Sequence, residues 1–264
     1  VPMDARGGQT VEVIGRREMF VVLSAVSDDR GGFWVAAGSH GLMIRHGDEL
    51  KAVTNASPQL PVDGYVSSLA VSPRGLVVGG RGLLLILDRD GRAVPTQDYS
   101  GTTKGRRVIS LAVDELGGIW AGLDIGNIVH IPAETSALRV IPTEGPVFDL
   151  ATQKDRVWVI DGKILRCWSK NRWEPISAAL NPVGSPKSLF VDRQDRLLVV
   201  GDSQVAIQKG QAVAILGSQQ GVFPRLNSKW FQDQQSNLWL ATDDGCLEVG
   251  TCYCCRKYCC FEAK

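Results

Sequence analysis

Four aspartates recur at matching places along this chain of 264 residues. Asp124, Asp202 and Asp243 each follow an apolar anchor by four positions, and Asp161 follows its own anchor by three. Carboxylates gathered on one rim can ligate a hard cation such as calcium, which takes several oxygen ligands. Their local context favours a different use. Asp161-Gly162 and Asp244-Gly245 are turn dipeptides, and aspartate suits tight turns because its side chain accepts hydrogen bonds from nearby amides. Radial spacing would also hold the four too far apart for one ion unless all faced a common axis. We read them as turn residues.

Cysteine is the second candidate chemistry. Six of the seven cysteines fall between Cys246 and Cys260. Thiolates at this density bind zinc or copper(I), and Cys252, Cys255 and Cys259 are the candidate ligands. The segment lacks the well-separated ligand pairs of a zinc knuckle, and disulfides or a tail foreign to the domain are the other readings. We expect no metal and no cofactor, and we read residues 251–264 as a cysteine-rich tail that either forms the last outer strand or is foreign to the domain. Cys167 reads as a plain buried thiol.

Histidine offers less. His40, His46 and His130 do not recur at equivalent places beside an acidic partner. No nucleophile-elbow serine, phosphate loop or histidine-glutamate zinc motif is present. The expectation is a protein that is not an enzyme. Were it a lyase, His40 in a turn would be the candidate general base.

Charge narrows the partners further. Lysine and arginine total 29 against 28 acidic residues, a net charge of +1. That balance supplies no field for nucleic acid or an anionic membrane surface. No apolar run approaches the roughly 20 residues of a membrane helix. The chain starts at Val1 without an initiator methionine, which reads as a processed or excised form.

The elements that must position these residues follow from the anchors. Trp34, Val77, Trp120, Trp158, Leu198 and Trp239 lie at spacings of 43, 43, 38, 40 and 41 residues. Each follows a polar turn and sits in an apolar run. A period of roughly 40 residues with about four short strands per unit is the signature of β-propeller blades. The fold class is all-β, a propeller of six four-stranded blades, with a truncated ring of seven as the competitor. Residues 1–250 form one domain. First strands are expected near Val22–Ser27, Val66–Val71, Val108–Val113, Val147–Thr152, Lys187–Val191 and Ser228–Gln232, with almost no helix. The alternating stretch Thr10–Ile14 is expected to close the ring by completing the last blade and covering its edge.

Within the first strands one position holds Ser24, Ser68, Ser110 and Ser188, for which crowding at the axis is a sufficient steric reason. Asp149 and Lys229 break that pattern with opposite charges. They mark one mouth of the channel either as ligand contacts or as a mutual ion pair. The longest connections, Asn55–Tyr65, Asp98–Arg107, Ala178–Pro186 and Gly217–Leu226, shape the same mouth. Tyr65, Arg106, Phe223 and Arg225 are their candidate contacts, since aromatic and arginine side chains anchor interfaces. The expected partner is a small molecule, a glycan or a protein at this face.

Three units, Asp29-Arg30-Gly31-Gly32-Phe33-Trp34-Val35, Asp114-Glu115-Leu116-Gly117-Gly118-Ile119-Trp120-Ala121-Gly122 and Asp233-Gln234-Gln235-Ser236-Asn237-Leu238-Trp239-Leu240-Ala241-Thr242, resemble two-component-regulator propeller repeats. The resemblance runs from about residue 20 to 250 and is degenerate at Val77 and Leu198, where tryptophan is lost. It implies a periplasmic or extracellular sensing module. A weaker likeness to photosystem-assembly-factor-like propellers lies in Val77-Val78-Gly79-Gly80-Arg81-Gly82-Leu83. Ile125-Gly126-Asn127-Ile128-Val129-His130-Ile131 is similar to streptogramin-lyase-like repeats. All three imply one fold, and they differ on function.

Overall fold

The computed structural model describes residues 21–27, 32–46, 49–53, 64–88, 90–134, 138–220, 222, 224, 229–232, 235–242 and 245–249. The chain winds through consecutive antiparallel meanders. The first is β1 (Ser24–Ser27), β2 (Phe33–Ala36), β3 (Leu42–His46) and β4 (Glu49–Ala52). The second is β5 (Val66–Ser72), β6 (Gly75–Gly80), β7 (Leu83–Leu87) and β8 (Ala93–Asp98), and the third is β9 (Val108–Val113), β10 (Ile119–Leu123), β11 (Ile128–Ile131) and β12 (Arg139–Ile141). Next come β13 (Val147–Gln153), β14 (Arg156–Asp161), β15 (Ile164–Ser169) and β16 (Arg172–Glu174), then β17 (Ser188–Val191), β18 (Leu197–Val200), β19 (Val205–Lys209) and β20 (Ala212–Leu216). The last is β21 (Lys229–Gln232), β22 (Leu238–Thr242) and β23 (Gly245–Val249).

Among the described residues these make five four-stranded sheets and one of three strands, each paired in sequence order. Among the described residues helix is confined to three short 3-10 segments, Ser100–Thr103, Ala178–Val183 and Ser218–Gln220. The inner strands β1, β5, β9, β13, β17 and β21 stand side by side in that order. This is a β-propeller. The proposed closing strand at residues 10–14 and the tail at 251–264 lie outside the described residues.

The register explains the repeat. Every anchor pairs with the residue two places after the serine position: Trp34 with Val26, Val77 with Ala70, Trp120 with Ala112, Trp158 with Ala151, Leu198 with Phe190 and Trp239 with Phe231. Alternation then sends neighbouring residues of one strand into different layers. Val78 packs with Trp34 and Leu69 toward the first blade, whereas Val77 packs with Val108 and Ile119 toward the third. Further slabs lie between the later blades, built on Trp120 with Val147, Trp158 with Leu189 and Leu198 with Trp230. Both faces of each middle strand are therefore buried, which is why Leu83–Leu87 reads as an unbroken apolar run.

The acidic residue ahead of the anchor has a definite task. Asp114 Oδ1 accepts the amides of Leu116 (3.1 Å) and Gly118 (2.7 Å), and its Oδ2 accepts the indole N–H of Trp120 at 2.9 Å. It closes the hairpin and fixes the tryptophan together. Gln153 repeats the second task by accepting the indole N–H of Trp158 at 2.8 Å. Glycine two places after the anchor makes room for the next blade. A Cβ on Gly122 would lie 2.3 Å from Val147 Cγ1, and one on Gly79 would lie 2.7 Å from Val108 Cγ1.

Candidate functional site

In each meander the inner strand begins, and the second-to-third turn lies, on one face of the propeller. The turns between first and second strands and between third and fourth strands lie on the other. Tyr65, Arg106, Asp149 and Lys229 all stand on the first face, as the sequence reading expected. Phe223 and Arg225 lie outside the described residues, as do Cys252, Cys255 and Cys259.

Asp149 and Lys229 meet. Lys229 Nζ donates to Asp149 Oδ2 at 2.8 Å, so the lysine of the sixth meander reaches past the fifth to the fourth. Asp149 is 7% exposed and accepts three further hydrogen bonds. Its Oδ1 takes the hydroxyl of Ser110 at 2.9 Å and its own neighbour's amide, Leu150, at 3.1 Å, and Oδ2 takes the amide of Leu189 at 3.0 Å. The lysine side chain stays 59% exposed. Mutual pairing, one of the two readings open from sequence, is what the structure contains.

The serine position is more than steric. Ser24 Oγ accepts the Leu69 amide at 3.2 Å and Ser110 Oγ accepts the Leu150 amide at 3.1 Å, in each case from the next blade. Asp149 does the same for Leu189. A short acceptor at this point stitches one inner strand to the following one, and a carboxylate serves as well as a hydroxyl. Ser68 Oγ has no partner among the described residues.

One residue earlier the inner strands carry a bulge. The register of β5 shifts between Val66 and Ser68, and that of β13 between Val147 and Asp149. An extra residue at a bulge leaves the ladder and is re-aimed. In β5 this is Ser67, whose hydroxyl bonds the Val108 carbonyl at 2.5 Å. In β13 it is Phe148, 50% exposed beside Asp149. Ile125, in the second-to-third turn of the third meander, and Ile164, the first residue of β15, are exposed on the same face. Sequence reasoning missed all three. The signal was there for Phe148, since the equivalent residues Ser67 and Ile109 are smaller and less exposed.

The surrounding rim is fixed. Arg107 lies over the Tyr65 ring at 5.8 Å and its Nη1 donates to the Tyr65 hydroxyl at 3.5 Å. Arg106 is exposed. Arg166 stacks on Trp173 at 4.5 Å while bonding Asp161 (3.0 Å) and Glu144 (3.1 Å).

The repeating aspartates cap the entry to their own blade. Asp124 accepts the Arg107 amide at 3.2 Å, Asp161 those of Glu144 (2.9 Å) and Gly145 (2.6 Å), and Asp202 that of Ser185 at 3.1 Å. Lys187, by hydrogen bond, and then the Ser185 amide hold the Asp202 carboxyl below its usual range. Asp243 lies outside the described residues. Among the described residues no three metal-ligating side chains converge.

On the opposite face, His130 stacks on Trp120 at 3.7 Å with its Nε2 3.9 Å from Asp114 Oδ2. Burial pushes the imidazole below its ordinary range, against the pull of Asp114. Asp114 is already spent on Trp120 and two amides, and it accepts no hydrogen bond from the ring at that distance. His40, the lone candidate base from sequence, sits exposed in a turn with its amide on the Ala37 carbonyl at 3.1 Å.

No protein-family model matches the chain, and no curated protein matches it in sequence. Solved structures do. The extracellular domain assigned to a hybrid two component system of B. thetaiotaomicron superposes with a TM-score of 0.67 at 13% identity, over 84% of this chain and 32% of that one. Streptogramin B lyase gives 0.63 at 14% identity over 86% and 82%. A catalytically inactive virginiamycin B lyase from Staphylococcus aureus with quinupristin gives 0.64 at 11% over 90% and 87%. This chain spans about a third of that extracellular domain and most of each lyase. At these identities the likeness is one of fold, the propeller that the repeat implied.

Proposed function

We propose that this protein is a non-catalytic binding propeller of the sensor or interaction type, and that its partner docks on the face where the inner strands begin. The observation that carries the reading is Phe148. A bulge turns this aromatic outward beside the Lys229–Asp149 pair, on a face that also exposes Ile125, Ile164 and Arg106. Large apolar side chains gathered at a surface with arginine nearby are the usual makings of an interface. The scaffold has no need of Phe148 there, because serine fills the equivalent place in β5. A protein or a glycan presenting apolar and anionic groups fits this surface.

The extracellular domains among the structural neighbours support a sensor at a periplasmic or extracellular location. No described helix is long and apolar enough to cross a membrane. The lyase neighbours define the competing reading, and quinupristin is the compound with which to test it. Mass spectrometry after incubation with the protein is expected to show quinupristin unchanged. A converted product that depends on His130 or His40 would replace the binding reading with a catalytic one.

A further inference from the structure

Opposite the mouth, between the fourth and fifth meanders, lies a cleft of about 470 Å³. Its size falls in the range of small-molecule sites, although its walls are more polar than most. Gln208 of β19 stands in its wall and is 9% exposed. Its amide is oriented, since Nε2 donates to the Gly210 carbonyl at 3.1 Å. That leaves Oε1 buried with no hydrogen-bond donor. A buried acceptor left unmade is costly, so a group that donates to it gains the whole difference on binding.

The charges around the cleft are asymmetric in their commitments. Glu174 is held by Arg172 at 2.8 Å, Asp155 takes the Ser169 hydroxyl at 3.3 Å, and Asp195 at the neighbouring edge is paired with Lys154. Arg156 and Lys170 also line the cleft and are exposed; their side chains make no ion pair or hydrogen bond among the described residues, although both lie within the field of Glu174. The site thus offers two cations whose side chains hold no hydrogen-bonded partner, and one orphaned carbonyl. An arginine fork and a lysine ammonium suit a carboxylate, and the carbonyl demands a hydroxyl or N–H. Pro175 and Ile176 add an apolar wall for the carbon face of a ring.

We infer that this cleft is a second binding site, and that its ligand is a sugar acid, with the carboxylate on Arg156 and Lys170 and a ring hydroxyl on Gln208. It is independent of the docking face proposed above and does not require that reading. Calorimetric titration of the full chain with glucuronate and galacturonate tests it, with glucose and glucose 6-phosphate alongside. Binding of at least one uronate is expected, weakening with salt and at least about tenfold tighter than glucose. Gln208→Leu and the pair Arg156→Gln with Lys170→Gln should each weaken it by about tenfold or more. Gln208→Glu keeps the shape and sets a charge against the ligand, so it should lose binding too. Phe148→Ser and Lys229→Ser, on the other face, should leave it unchanged. Absence of uronate binding, affinity indifferent to these cleft changes, or a preference for the sugar phosphate would overturn the assignment.

Discussion

Lys229 and Asp149 stand 80 positions apart in sequence and 2.8 Å apart in space, and they are the two residues that break the serine pattern of the inner strands. Asp149 keeps the work of the serine it replaces, accepting the Leu189 amide of the next blade. The added charge is then met by a lysine placed two blades on. The charged mouth is a local elaboration of an interblade stitch that Ser24 and Ser110 make with a hydroxyl.

Replacing Asp149 by serine should therefore preserve the fold. The Leu189 amide keeps an acceptor, while the Ser110 hydroxyl and Lys229 lose theirs, a cost of about 1–2 kcal/mol by chemical denaturation. Asp149→Leu, which supplies no acceptor to Leu189, should cost more. Lys229→Ser should change stability by less than about 1 kcal/mol, because its ammonium is solvated. A serine variant at 149 as unstable as the leucine variant would contradict the stitch.

The hairpin clamp makes a second prediction. Asp114 bonds two amides and the Trp120 indole at once, so Asp114→Ala should cost about 2–3 kcal/mol. A double-mutant cycle with Trp120→Phe should show coupling of about 1 kcal/mol, since only their shared bond is counted twice. Additive losses would mean that the indole contact contributes nothing.

Two titrations of opposite direction should shape the pH profile. Burial holds His130 below its ordinary 6.5, with Arg139 adding to the effect and Asp114 opposing it. The stability from its neutral ring is complete above 6.5 and is lost as the pH falls below that value. His130→Asn should flatten the acid side of the curve. Burial also raises the Cys167 thiol from 9.0 to about 11, so its contribution is complete below pH 9 and lost as the pH rises toward 11. At neutral pH Cys167 should react with alkylating reagents only as fast as the protein opens. Rapid labelling of the folded protein would refute the buried-thiol assignment.

Glycine at position 122 should resist substitution. Gly122→Ala drives a methyl into Val147 of the next blade and should cost about 1–3 kcal/mol, and Val147→Ala in the same chain should recover part of it. An innocuous Gly122→Ala would show that the blades have room to separate there.

Much of the scaffold was legible because its constraint repeats. Six copies of one strand pattern reveal period, register and anchor, and the first strand of the third unit falls at Val108–Val113 as the alternation predicts. The aspartates read as turn residues because each copy sits in the same turn, yet the carboxylates of Asp124, Asp161 and Asp202 reach past that turn to the Arg107, Gly145 and Ser185 amides, 16 or 17 positions away in the connection entering the blade. What was not legible depends on contacts between copies. Pairing of Asp149 with Lys229 rather than with a ligand is decided by a lysine's reach across a neighbouring blade. The hydroxyls of Ser24 and Ser110 looked steric because their partners are amides, which carry no mark in sequence. Gln208 gave no signal, since an orphaned carbonyl exists only once the walls of a cleft surround it.

The docking face is tested most directly by a thermal-shift screen of oligosaccharides and peptides, run on the Arg156→Gln, Lys170→Gln protein so that the cleft is silent. At least one compound should raise the melting temperature, and adding Phe148→Ser and Lys229→Ser should abolish its effect while leaving the unliganded melt within a few degrees of the parent. Compounds that stabilise both proteins equally would contradict the assignment of the binding surface to the mouth around Phe148.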